Sequence, residues 1–163
     1  MLAISADCSS QIQFRKSNTV AEHCLWRFSR ALHSAINERQ PEVLETLIDD
    51  DVDWVIHGPI ELFPFLGARR GKAAVLTVCR QISENVRVHR FDRESIILGE
   101  DTAASLMRYS LTALDSNKPI NLRLAHFAQF KADRLLNIRV LLDTYELVEQ
   151  SLGHPIHPPK IGP

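Results

Sequence analysis

The second half of the chain leaves little topological choice. Four runs patterned as strands, Val88–Leu98, Thr102–Leu114, Ile120–Phe130 and Leu135–Leu142, are separated only by Gly99-Glu100-Asp101, by the polar stretch Asp115–Pro119 and by Lys131–Arg134. A parallel crossover needs a dozen or more residues, and none of these connections supplies them, so consecutive strands must pair antiparallel as a meander.

The first half reads as helices around one strand. Thr19 to Glu22 has the form of a capping box, and Val20, Cys24, Leu25, Phe28, Leu32, Ala35 and Ile36 then recur on one face, which predicts a helix over 19–38. Pro41 suits the first turn of a second helix with Val43, Leu44, Leu47 and Ile48 as its stripe, and the run Asp49-Asp50-Asp51 at its C-terminal end reads as a solvated turn. Val52, Trp54 and Ile56 alternate with Asp53, Val55 and His57 as a strand; Ala74, Val75, Val78, Cys79 and Ile82 mark a third helix; Asp143 with Glu146 opens a last short helix through Leu152. The expected organisation is one domain over 18–152, preceded by a polar, aperiodic arm at 1–17 and followed by a proline-rich tail at 153–163. The fold class is α+β: a strongly curved antiparallel sheet wrapped around three helices from the N-terminal half, with a hollow between them where a ligand would sit.

At 163 residues such a domain can bury a sizeable core, and a formal net charge of −1 with interspersed signs gives no basic face, which argues against nucleic acid. No apolar run is long enough to span a bilayer, and the first residues lack the pattern of a signal peptide. Cys8, Cys24 and Cys79 have no metal or redox spacing and cannot all pair, so a reducing, cytoplasmic setting is expected.

Between the strand at 52–57 and the third helix lies Gly58–Gly71, carrying Leu62, Phe63, Phe65 and Leu66. Each is worth roughly 1.5 to 3 kcal/mol when removed from water, so this loop is expected to cover something apolar and to form one wall of the pocket. Trp54 and Ile56 should point inward beneath it, and Gly67–Gly71 should turn the chain into the third helix. On the meander, His126 shares a face with Leu122, Leu124, Ala128 and Phe130. That face is either packed core or pocket wall; facing a cavity, the imidazole would lose solvation and stay neutral.

The segment Pro64-Phe65-x-Gly67-x-x-x-Gly71, with the final strands RLAHFAQF and LLNIRVLLDTY, resembles the SnoaL-like branch of the nuclear-transport-factor-2-like superfamily, over about residues 19–152. This resemblance implies a cone-shaped α+β fold and, from relatives that include ketosteroid isomerases, limonene-type epoxide hydrolases and polyketide cyclases, chemistry without metal or organic cofactor. Carried over by position, the isomerase acid falls at His126, its base near Ile56 or His57 and its tyrosine near Leu32; the cyclase acid-base aspartate falls at Asp143. The candidate catalytic groups are therefore His126, Asp143 and His57, and the candidate ligand contacts are Trp54, Ile56, Phe63, Phe65, Tyr109 and Leu124. Asp143 has a competing duty as N-cap of the last helix. The expected ligand is a small hydrophobic molecule. Alternation also leaves Phe127, Leu141 and Met107 or Arg108 on the outer sheet face, so a homodimer through that face is expected; a non-catalytic binder or accessory subunit is the alternative to an enzyme.

Overall fold

A computed structural model describes residues 22–157. In chain order it contains α1 (Cys24–Asn37), α2 (Glu42–Thr46), β1 (Ile48–His57), β2 (Gly67–Arg70), α3 (Lys72–Asn85), β3 (Val86–Leu98), β4 (Thr102–Ala113), β5 (Pro119–Lys131), β6 (Arg134–Leu142) and α4 (Thr144–Leu152). The strands form one curved, unclosed sheet in the order β2-β1-β6-β5-β4-β3. The meander β3 to β6 is antiparallel throughout, β2 pairs antiparallel with β1, and β1 joins the meander through a parallel pairing with β6. The arm expected at 1–17 and the last residues of the tail lie outside the described residues.

The core sits where α1 and α3 meet the concave face. Leu44, Ile48, Val52, Val75, Val78 and Leu135 are essentially without solvent contact, and Trp54, Ile138 and Phe130 are nearly so. Cys24 and Cys79 are free and buried, behaving as small apolar side chains; burial pushes the Cys79 thiol up to about 12.

Four local expectations change. The first helix starts at Cys24, with His23 as its cap: the imidazole Nδ1 accepts from the Leu25 N–H at 3.1 Å, the task a capping-box hydroxyl would have performed. Thr19 lies outside the described residues, and Glu22 instead takes a two-pronged pair with Arg30, at 2.6 and 2.8 Å. The second helix ends at Thr46, and Ile48 opens β1, so the acid run lies in a strand rather than a turn. Ile48 pairs with Leu135 but Asp53 with Asn137, which loops the aspartates out of register, and Lys72 meets Asp50 at 2.7 Å. Last, Gly67–Arg70 is a strand, β2, where only a turn into α3 was expected. Gly71, at φ +86°, makes the sharp exit that a side chain would resist.

α4 closes the end of β5 that β6 does not reach. Asp143 caps it by accepting from the Glu146 N–H at 3.0 Å, and Gln150 both accepts from the Asn121 N–H and donates to its carbonyl, standing in for a missing strand neighbour. The start of the tail turns back onto this helix: the Ile156 N–H donates to Glu149, and Tyr145 donates to the Ile156 carbonyl.

Candidate functional site

Two straps hold α1 across β3. At the N-terminal strap His23 Nε2 lies 3.0 Å from the Gly99 carbonyl; because Nδ1 is already an acceptor, Nε2 carries the proton and donates. At the other end Asn37 behaves as a strand neighbour of Val88, accepting from its N–H at 3.0 Å and donating to its carbonyl at 2.6 Å. That fixes the Asn37 amide, so its nitrogen also donates to His33 Nε2 at 3.0 Å. Between the straps the curved sheet falls away from the helix and leaves a cavity of about 570 Å³.

The sheet side of this cavity depends on two irregularities in β3. Val88 pairs with Leu111 but Arg90 with Ser110, and Arg93 pairs with Met107 but Ser95 with Leu106, so β3 carries one extra residue at each place. Strict alternation would send part of this strand outward. The extra residues instead turn Val88, Phe91, Arg93 and Ile96 all toward α1, and all four line the cavity. Ser105, Met107 and Tyr109 face it from β4, His126 from β5 and Ile138 from behind; α1 contributes Leu25, Trp26, Phe28, Ser29, Leu32, His33 and Ile36.

Two polar groups stand in the middle of this apolar lining. Tyr109 stacks on Phe91 with ring centres 5.8 Å apart and meets the His126 ring edge-on at 6.2 Å. Burial holds the imidazole neutral by lowering the His126 pKa to about 4, and pushes the Tyr109 phenol up to about 12. Ser105 Oγ lies 3.3 Å from His126 Nδ1. Among the described residues neither His126 Nε2 nor the Tyr109 hydroxyl has a hydrogen-bond partner, so both are free to meet a ligand. At neutral pH both rings are uncharged and each can donate one hydrogen bond.

Of the residues singled out from sequence, the structure brings only Tyr109 and His126 together at the cavity. Trp54 and Ile56 point inward but into packed core, with the Trp54 Nε1 buried and unpartnered. Leu124 is half-buried on β5, paired across from Met107 and Leu142. Phe63 and Phe65 pack against each other at 6.0 Å and cover the β1–β2 end. The loop is therefore a cover for that end and not a wall of this cavity: Leu66 is buried, Ile60 and Leu62 are exposed, and Arg69 ties the loop to β2 by donating to the Pro64 carbonyl at 2.7 Å. His57 is exposed at the end of β1, and Asp143 is at its helix cap; neither reaches the cavity. Among the described residues no three His, Cys, Asp or Glu side chains gather as a metal site.

Trp26, Phe91, Arg93 and Ser105 were missed, and of the two residues offered for the outer sheet face Met107 instead lines the cavity, leaving that face to Arg108. The helix did carry a signal: Trp26, Ser29 and His33 form a second stripe at i, i+3 and i+7 beside the core-facing one, and that breadth is what lines the hollow.

The family model of the SnoaL-like domain matches residues 29–138, which takes in the cavity-bearing strands and most of α1. The chain belongs to the SnoaL-like family. A candidate isomerase from Rhodopseudomonas palustris, known by crystal structure, is 62% identical with a TM-score of 0.81, over 82% of this chain and 99% of that one. Two distant structures share the fold. A protein of ketosteroid isomerase-like fold from Catenulispora acidiphila DSM 44928, in complex with trimethylamine, is 16% identical with a TM-score of 0.62 over 80% of this chain and 97% of its own. An LEH-like epoxide hydrolase from M. tuberculosis is 14% identical with a TM-score of 0.60 over 78% of this chain and 88% of its own. No curated protein sequence matches this chain. The SnoaL-like fold thus accounts for the curved sheet, the helices in its hollow and the cavity beneath α1, and no helix of the described residues is long and apolar enough to cross a membrane.

Proposed function

We propose that this SnoaL-like protein binds a small, largely apolar molecule carrying a carbonyl or hydroxyl oxygen, and that Tyr109 and His126 hold that oxygen. The observation behind this reading is the pair of uncharged hydrogen-bonding groups, each with a free polar atom, set side by side in an apolar cavity. Two donors aimed at one oxygen stabilise the charge that builds on it when a neighbouring C–H is ionised, so the reaction this arrangement suits is a proton shift next to a carbonyl, as in isomerisation. The name of the R. palustris relative agrees with that class. His126 serves better as donor than as base, because a site that resists the imidazolium makes the neutral ring a weak proton acceptor.

A second reading, binding without turnover, is favoured by one feature: among the described residues Glu22 is the one carboxylate on the lining, and both its oxygens are engaged by Arg30. His57 and Asp143, candidates for base chemistry by position, would have to act from outside the cavity. Further parts of the proposal are a cytoplasmic location and a dimer through the outer sheet face, where Phe127 and Leu141 are about half exposed, at 49% and 46%. Sedimentation velocity at micromolar concentration should give twice the chain mass; a monomer removes the dimer.

The test of function uses Trp26 as reporter. Titration with β,γ-unsaturated cyclic ketones should change its fluorescence, and appearance of the conjugated enone in the ultraviolet would establish the isomerase reading. Met107→Trp should block binding by filling the hollow, and His126→Ala should weaken it. Binding that survives both variants overturns the assignment of the cavity, and binding with no enone leaves the non-catalytic reading in place.

A further inference from the structure

The mouth of the cavity carries a charge that no carboxylate among the described residues answers. Among the described residues three charged side chains lie on the lining: Glu22, Arg30 and Arg93. Glu22 and Arg30 cancel each other in their two-pronged pair, and the guanidinium beside it holds the Glu22 carboxyl below its usual pKa. Arg93 has no carboxylate partner among the described residues, in contrast to Arg90, which meets Asp92 at 2.8 Å, and Arg108 and Arg123, which share Glu94 at 2.7 Å each. The irregularity at Glu94 creates this difference. It sends Glu94 outward to Arg108 and Arg123 and keeps Arg93 inward, opposite Met107.

Arg93 is also placed. Its guanidinium carbon sits 4.1 Å from the centre of the Trp26 ring, so the cation lies over the first turn of α1, and among the described residues its N–H groups make no hydrogen bond. A planar fork held in this way matches a carboxylate better than it matches any neutral group.

We propose that the ligand of this cavity is amphipathic and anionic, with a carboxylate bound by Arg93 at the mouth and its apolar body lying along Phe91, Ile96 and Met107 toward Tyr109 and His126. This rests on the cavity being the ligand site. Arg93 is then the specificity-determining residue that admits acids over their neutral analogues.

The experiment compares 4-phenylbutanoate with 4-phenylbutanamide, probes that differ in the head group and share the apolar body, by calorimetric titration of the wild-type chain, Arg93→Met and Met107→Trp. The wild type should bind the carboxylate about tenfold tighter than the amide, and the preference should weaken with added salt. Arg93→Met should bind both equally, at the amide's affinity, with an unchanged unfolding midpoint. Equal binding of both probes by the wild type, or a preference that survives Arg93→Met, overturns the inference about the acid while leaving the cavity intact. If neither probe binds, or Met107→Trp binds both as the wild type does, the cavity reading fails and takes the inference with it.

Discussion

The concave face of the sheet has two halves built by different rules. Over β1 and β2, α3 and the loop after β1 press directly on the strands, and Val52, Trp54 and Leu66 have almost no accessible surface. Over β3 and β4 a helix is also present, strapped down at Asn37 and His23 and meeting β3 between them only at single side chains, His33 against Phe91 and Trp26 against Arg93, so a hollow persists around these contacts. One half spends its apolar residues on contact; the other keeps them as lining. The difference comes from curvature and from the two irregularities in β3, not from composition, since Phe91, Met107 and Ile96 are as apolar as their packed counterparts.

If the halves differ in this way, truncations to alanine should differ in cost by more than side-chain size explains. Trp54→Ala empties a close-packed site and should lower stability by about 3 to 5 kcal/mol in urea unfolding. Met107→Ala enlarges an existing void, loses fewer neighbours, and should cost about 1 kcal/mol or less. Equal losses would mean that the hollow is not open in solution.

Acid should also tell the halves apart, because His126 is buried in the open half and titrates on the acid side. Its pKa is near 6.5 when the chain is unfolded and about 4 in the fold. As the pH falls below 6.5 the unfolded state takes up the proton first. The contribution of the neutral ring to stability is therefore complete above about pH 6.5 and is lost progressively toward pH 4, amounting to about 2 kcal/mol at pH 5. His126→Phe should flatten that part of the stability-pH curve. An unchanged acid slope would mean that the imidazole is solvated and does not face a closed cavity.

The straps offer a smaller perturbation. Asn37→Ala removes the bonds to Val88 and His33 and should cost about 1 to 2 kcal/mol. Because it releases the end of α1 over the hollow, it should also weaken ligand binding, whereas a substitution of similar cost at the α4 end, Gln150→Ala, should leave binding unchanged. Equal effects of the two variants on affinity would show that the straps do not shape the cavity.

What could be read from sequence follows the same division. The four-strand meander was legible because its connections are too short for any other pairing, and α3 was legible because one apolar stripe meets one packed surface. β2 was not, since Gly67, Gly71 and the two arginines between them hide any alternation. The loop with Phe63 and Phe65 was rightly read as covering apolar surface, but sequence cannot say which surface, and it covers the packed half. His126 was named from its strand face and Tyr109 as a candidate contact; Phe91 and Arg93 were lost because an extra residue in β3 changes which side chains face inward without changing the pattern of residue types. The straps were equally invisible, because Asn37 and Val88 are 51 positions apart and an asparagine at a helix end has a local reading that suffices.

The smallest expected effect is the most direct test of what the open half is for. The Tyr109 hydroxyl has no hydrogen-bond partner among the described residues, while its ring is held by Phe91 and His126. Tyr109→Phe keeps the ring and removes only the group that a ligand would meet. In a packed half a lost hydroxyl normally strands its former partner and costs stability; here there is no partner to strand, so the unfolding midpoint should stay the same or rise slightly. Affinity for an oxygen-bearing ligand should fall by a factor of about 2 to 12, the equivalent of one neutral hydrogen bond, while affinity for a hydrocarbon of the same shape should not change. A loss of stability without a loss of affinity would place the hydroxyl in the architecture of the protein and leave the ligand's oxygen to His126.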